Sequence, residues 1–99
     1  MGQVMPYKLL YHPDVLKEDL TLILTNIKNR IRRAIETRLG ADPILAGQPL
    51  RESLKGHRRL RVGDWRIIYR IEMDTVIILK VGNRKDVYKE VFRRIRHKY

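Results

Sequence analysis

Residues 57–70 read HRRLRVGDWRIIYR, and five of their side chains are guanidinium groups: Arg58, Arg59, Arg61, Arg66 and Arg70. Like charges held this close repel one another, so a sequence that crowds them is keeping the place of an anion. Arginine forks onto two phosphate oxygens at once, a geometry lysine cannot reproduce, and phosphate is therefore the anion this composition fits best. The competing reading is a solvated face whose charges are answered by carboxylates such as Asp64 or Glu72.

These side chains need a sheet to gather them. Apolar and polar residues alternate on both sides of Gly63-Asp64, and glycine at the first central position suits a two-residue type II′ turn. That turn sets Val62 opposite Trp65, Arg61 opposite Arg66, Leu60 opposite Ile67, Arg59 opposite Ile68, Arg58 opposite Tyr69 and His57 opposite Arg70. Leu60, Val62, Trp65, Ile67, Tyr69 and Ile71 then share a core face, while His57, Arg59, Arg61, Arg66 and Arg70 share the other. Directly opposed like charges cost a sheet roughly 0.2–1 kcal/mol per pair, and Arg61/Arg66 is such a pair. For the next strand, a two-residue turn at Met73-Asp74 would drive Lys80 unpaired into the core, so a three-residue turn through Thr75 is expected. Ile77, Leu79 and Val81 then join the core, Lys80 joins the basic face, and Arg84 emerges past the strand end near Arg66.

The rest of the chain supplies the support. YKLLYH (7–12) reads as a short strand, with His12 beside Pro13 at its boundary. Pro13 and Asp14 start a helix running to Leu24, with acids near the positive end of its dipole. Ile27, Ile31, Ala34, Ile35 and Leu39 recur at helical spacing and mark a second amphipathic helix from Asn26 to Leu39, with Gly40 as its C′ residue. The two make a helical hairpin. Residues 40–56, with three glycines and two prolines, form a connector over the sheet. Strands follow at 57–62, 65–72 and 76–82. Val87, Val91, Phe92 and Ile95 then define the buried side of a basic C-terminal helix, whose Arg93, Arg94 and Arg96 face either solvent or RNA. The expected architecture is α+β: one small domain over 1–99 with an N-terminal strand, a helical hairpin, a three-stranded antiparallel meander completing one sheet, and that last helix.

Composition narrows the function. The 99 residues contain no cysteine, and His12, His57 and His97 show no ligand spacing, so neither a metal nor another cofactor is expected. No apolar run has signal-peptide or membrane-spanning length, which points to a soluble cytoplasmic protein with no membrane partner. Lys and Arg number 22 against 11 Asp and Glu, a net charge of +11. Such a field favours nucleic acid, an acidic protein or anionic lipid. The excess is concentrated: residues 51–70 and 83–99 each carry seven cations against two acids.

The order of elements, with RLRVGDWRIIYRIE and ILKVGNRKDVY, resembles the RelE/ParE superfamily of toxins from bacterial and archaeal toxin–antitoxin pairs. The similarity spans residues 7 to 95. For RelE-type members it implies a metal-independent endoribonuclease that cuts messenger RNA in the ribosomal A site. There the ribose 2′-OH attacks the adjacent phosphate, which needs cations at the non-bridging oxygens, a base for the hydroxyl and an acid for the leaving group. Carried over by motif position, Arg66 and Arg84 match the family's phosphate-binding arginines, and Tyr88, closing DVY, matches a tyrosine that places or activates the ribose hydroxyl. Arg59 and Arg61 fall where RelE-type enzymes carry catalytic lysine and arginine. Arginine is a poor proton acceptor, so the base is Tyr88, His57 or Lys55. His57, Arg70, Lys80 and Lys55 are the further RNA-contact candidates. Trp65, Tyr69 and Phe92 are expected in the core. The implied partners are the ribosome, mRNA and a cognate antitoxin with an acidic segment, operator DNA being reached only through that antitoxin. The alternative is a ParE-like inhibitor of DNA gyrase, which shares the fold without the ribonuclease chemistry.

Overall fold

The computed structural model describes residues 6–96; the remaining ends of the expected 1–99 domain, His97 among them, lie outside the described residues. Strand β1 (Lys8–Tyr11) leads into a short helical segment, Val15–Asp19 wound wide as a π turn and Leu20–Leu22 tight as a 3-10 turn. Helix α1 (Thr25–Ala34) runs on through a second π turn, Ile35–Leu39. The expected hairpin is present, although Gly40 ends it with φ −67° and makes no use of glycine's left-handed freedom. The connector holds α2 (Pro43–Ala46), capped by the Asp42 carboxylate, and β2 (Gln48–Pro49). Then come β3 (Arg58–Val62), β4 (Trp65–Glu72), β5 (Thr75–Gly82) and α3 (Val87–Arg96).

The five strands form one sheet in the order β1-β5-β4-β3-β2, with β1 parallel to β5 and every other pair antiparallel. The β3–β4 register is the expected one from Arg58↔Tyr69 to Val62↔Trp65. Gly63 supplies the positive φ, 61°, that its turn position requires.

The β4–β5 connection departs from expectation. Thr75 pairs with Glu72, so the turn is the two-residue Met73-Asp74, with Met73 strained at φ 55°. A bulge then restores the faces: Tyr69 opposes Ile78, but Ile68 opposes Lys80, leaving Leu79 as the extra residue. Both faces of the sheet are covered. Val15, Ile31, Ile35 and Leu39 pack with Leu60, Ile67, Tyr69, Val76, Ile78 and Val81 on one side. On the other, Ile68, Ile77 and Leu79 pack under Val87 and Val91 of α3. Ile77 and Leu79 therefore belong to a second core, and the run VIILKV is near-continuously apolar because β5 is buried on both faces.

Helix α3 is fastened by charge as well as by apolar contact. Asp19, 6% exposed, accepts from Arg94 Nη1 and Nη2 at 2.7 and 2.8 Å, from Lys80 Nζ at 3.0 Å and from the Val81 amide at 2.8 Å. Arg94 also donates to the Leu79 carbonyl and to Glu18. Burial opposes the Arg94 charge, yet the Asp19 bonds, with Asp14 and Glu18 nearby, more than offset it and raise its pKa. Arg94 thus occupies a buried position where the sequence suggested a solvated or RNA-facing one. Phe92, expected in the core, is 39% exposed, because Val87, Val91 and Arg94 take the inward positions.

Candidate functional site

The site grows from the directly opposed pair Arg61 and Arg66 on β3 and β4. Arg61 is exposed and Arg66 half-buried, and neither meets a carboxylate within ion-pair distance among the described residues. Arg59, two residues before Arg61, lies on the same face. Its Nη1 donates to the Tyr88 hydroxyl at 2.9 Å and its Nη2 to Gln48 Oε1 at 3.0 Å. Tyr88 arrives from the first turn of α3, its ring against the second core and its hydroxyl turned to the arginines.

Gly82 sets the spacing between sheet and helix. It pairs with Arg66, and a Cβ there would sit 2.4 Å from Val87 Cγ1, so only glycine lets α3 begin this close to β5. Arg84 follows two residues later, exposed, with Asp86 reaching its Nε only at a long, solvated 3.9 Å. The structure therefore groups Arg59, Arg61, Arg66 and Tyr88, with Arg84 on the adjoining loop.

Other expected contact residues lie elsewhere. Lys80 is buried beneath α3 between Asp19 and Glu90, at 3.0 and 3.2 Å, rather than on a basic surface. The bulge carries it there, and the carboxylates offset the cost that burying its charge alone would carry. Arg70 is bonded to Glu72 at 3.1 Å. His57, 8% exposed, precedes β3 and turns inward, both ring nitrogens lacking a hydrogen-bond partner among the described residues. Burial lowers its pKa; the Leu54 and Lys55 carbonyls pull the other way without reaching bonding geometry, while the Arg70 charge lowers it further. Lys55 is exposed on the connector. His12 keeps its boundary role, accepting from the Asp14 amide at 3.0 Å.

Two features escaped the sequence. Gln48, in a connector with no periodicity, orients Arg59 from the neighbouring strand. An open cleft of about 550 Å³ also runs past the end of the sheet, lined by Leu22, Trp65, Val81, Arg84 and Arg93 among others. Among the described residues no three His, Asp or Glu side chains are placed to hold a metal, and no helix is long and apolar enough to cross a membrane.

A strand, a helical hairpin and a meander closed by a short helix, with arginines on the inner strands, is the architecture of small toxin domains. The family model described as the ParE toxin of type II toxin–antitoxin systems matches residues 6–88, and the chain belongs to that family, within the RelE/ParE toxin superfamily. Toxin RelG of Mycobacterium tuberculosis is 43% identical over 53 residues, covering 52% of this chain and 61% of that protein. The chain thus spans less than two thirds of that relative's length. A toxin–antitoxin complex, RelBE2, also from Mycobacterium tuberculosis, contains a chain of similar structure with TM-score 0.75 and 30% identity, covering 87% of this chain and 100% of that one. The RelB-RelE complex of Methanococcus jannaschii gives TM-score 0.63 and 26% identity over 82% and 96% of the two chains.

Proposed function

We propose that this toxin is a ribosome-dependent, metal-independent endoribonuclease that cuts mRNA in the A site. The observation that carries the reading is the cluster of Arg59, Arg61 and Arg66 on facing strands, free of carboxylate partners among the described residues, with a tyrosine hydroxyl in contact with it. Arg61, Arg66 and Arg84 hold the non-bridging oxygens, whose charge grows as the 2′ oxygen bonds to phosphorus and the bond to the 5′ oxygen breaks. The products are a 2′,3′-cyclic phosphate and a 5′-hydroxyl. One proton must leave the 2′-OH and one must reach the departing oxygen. Tyr88 is the titratable group placed for the first transfer, because His57 is buried and Lys55 stands on the connector. Arg59, donating to the Tyr88 hydroxyl, holds that oxygen against the arginine cluster.

The toxin–antitoxin complexes among the similar structures support an antitoxin partner; we infer that an acidic segment of it covers the arginine face and that operator DNA is reached through it. Translation places the protein in the cytoplasm. Primer extension on mRNA held in programmed ribosomes tests the reading. Cuts within the A-site codon are expected with the wild type and not with the Arg66→Ala/Arg84→Ala double variant; equal cutting by both sinks the assignment. The second reading, inhibition of DNA gyrase, is favoured by the ParE description of the matching family model. Gyrase poisoning and a DNA-damage response on induction, with transcripts intact, would replace the first reading by the second.

A further inference from the structure

We propose that the cleft beside Trp65 is a subsite for a nucleobase of single-stranded RNA, the indole stacking on the base. This rests on the ribonuclease reading and names where the nucleotide next to the scissile phosphate goes.

Trp65 and Arg66 are consecutive on β4, so their side chains leave the strand on opposite faces. The cleft joins those faces. It passes around the end of the sheet where β4 begins and β5 finishes; Trp65 and Val81 line it from the first-core side, and on the α3 side the cations Arg84, Lys89 and Arg93 stand among the carboxylates of Asp86 and Glu90. β1 pairs only with Thr75 to Ile78, and beyond them the Arg94 guanidinium and the Asp19 carboxylate, not a strand, take the Leu79 carbonyl and the Val81 amide.

Its chemistry matches a nucleotide. The volume, about 550 Å³, is ample for a base and its sugar. Trp65 is half-buried, packed against the first core on one part and lining the cleft with another, so it presents a rigid aromatic surface that loses little freedom on binding. An aromatic surface beside cations that track a backbone is the general solution for single-stranded nucleic acid. Arg84 is common to both places. A phosphate gripped by Arg84 has its own nucleoside at the cleft mouth.

The chain holds one tryptophan, so its fluorescence reports this subsite alone. The probe is a 2′-O-methyl RNA trinucleotide, which binds but has no hydroxyl free to attack. Expected are quenched indole emission on titration, shielding of the indole from acrylamide, and binding about tenfold weaker in Trp65→Leu but largely kept in Trp65→Phe, the loss of one stacked base. The wild-type emission needs no variant to fold. If anisotropy of a labelled trinucleotide shows binding while emission and acrylamide access stay unchanged, the subsite is refuted and the ribonuclease reading stands. If the protein neither binds RNA nor cuts it on ribosomes, both fall.

Discussion

In the proposed reaction the Arg59–Tyr88 contact joins charge stabilisation to proton transfer within one hydrogen bond. Tyr88→Phe should keep the fold and lower cleavage on programmed ribosomes by about 10²–10⁴-fold, the range for a lost proton-transfer group. Arg66→Ala should lower it by about 10²–10³-fold, as for the loss of one preorganised donor to a developing oxyanion. A Tyr88→Phe variant of unchanged rate would return that residue to packing. His57 makes a separate prediction about stability. Its pKa is lowered from 6.5 in the fold, so the folded state takes up the proton less readily than the unfolded chain. The stability it contributes is present above 6.5 and is lost as pH falls through the lowered value. His12, lowered chiefly by burial, has the same sign. Urea titrations from about pH 7 to about pH 5 should therefore show a steeper loss of stability in the wild type than in His57→Phe. Equal slopes would mean that His57 is not desolvated in solution.

At the scale of elements, α3 carries Tyr88, and its docking depends on Asp19 and Arg94. Removing one partner leaves the other charged and buried, so Asp19→Ala or Arg94→Ala should cost about 3–5 kcal/mol in chemical denaturation. The β4–β5 turn offers the opposite sign. Met73 is 96% exposed and sits at φ 55°, a conformation that costs an L-residue about 1–2 kcal/mol. Met73→Gly should recover about 1 kcal/mol of that after glycine's greater unfolded-state freedom is set against it. A lower midpoint for Met73→Gly would show that the turn is not strained.

For the molecule as a whole, the net charge of +11 makes salt the main lever on the proposed RNA binding. Each phosphate contact to a single strand contributes a slope of about −0.7 in log affinity against log salt. The triple variant lacking Arg61, Arg66 and Arg84 should flatten that slope by about 2, read by anisotropy of a labelled oligonucleotide. An unchanged slope would place the contacts elsewhere on the surface. On the proposed reading the same field draws in an acidic antitoxin segment, so antitoxin and RNA should compete more weakly for the toxin as salt rises.

Local chemistry made part of this legible beforehand. The β3–β4 register follows from Gly63-Asp64 and strand alternation, which together set Arg61 opposite Arg66. Helical spacing likewise marked Ile31, Ile35 and Leu39 as buried. β5 was harder to place. With both faces covered it carries no alternation to read, and a bulge at Leu79 leaves no mark in the sequence.

What the sequence determined by itself was the elements, the hairpin and the crowding of arginines, because turn chemistry and side-chain period act between near neighbours. The tertiary structure alone decided which cations stay available. Lys80 and Arg94 were drawn inward by Asp19, some sixty and seventy-five residues away, while Arg59, Arg61 and Arg66 met no carboxylate among the described residues. The physical reason is that burial and pairing depend on long-range packing: a buried cation is stable only beside an anion, and which anion reaches it is fixed when helix and sheet close together.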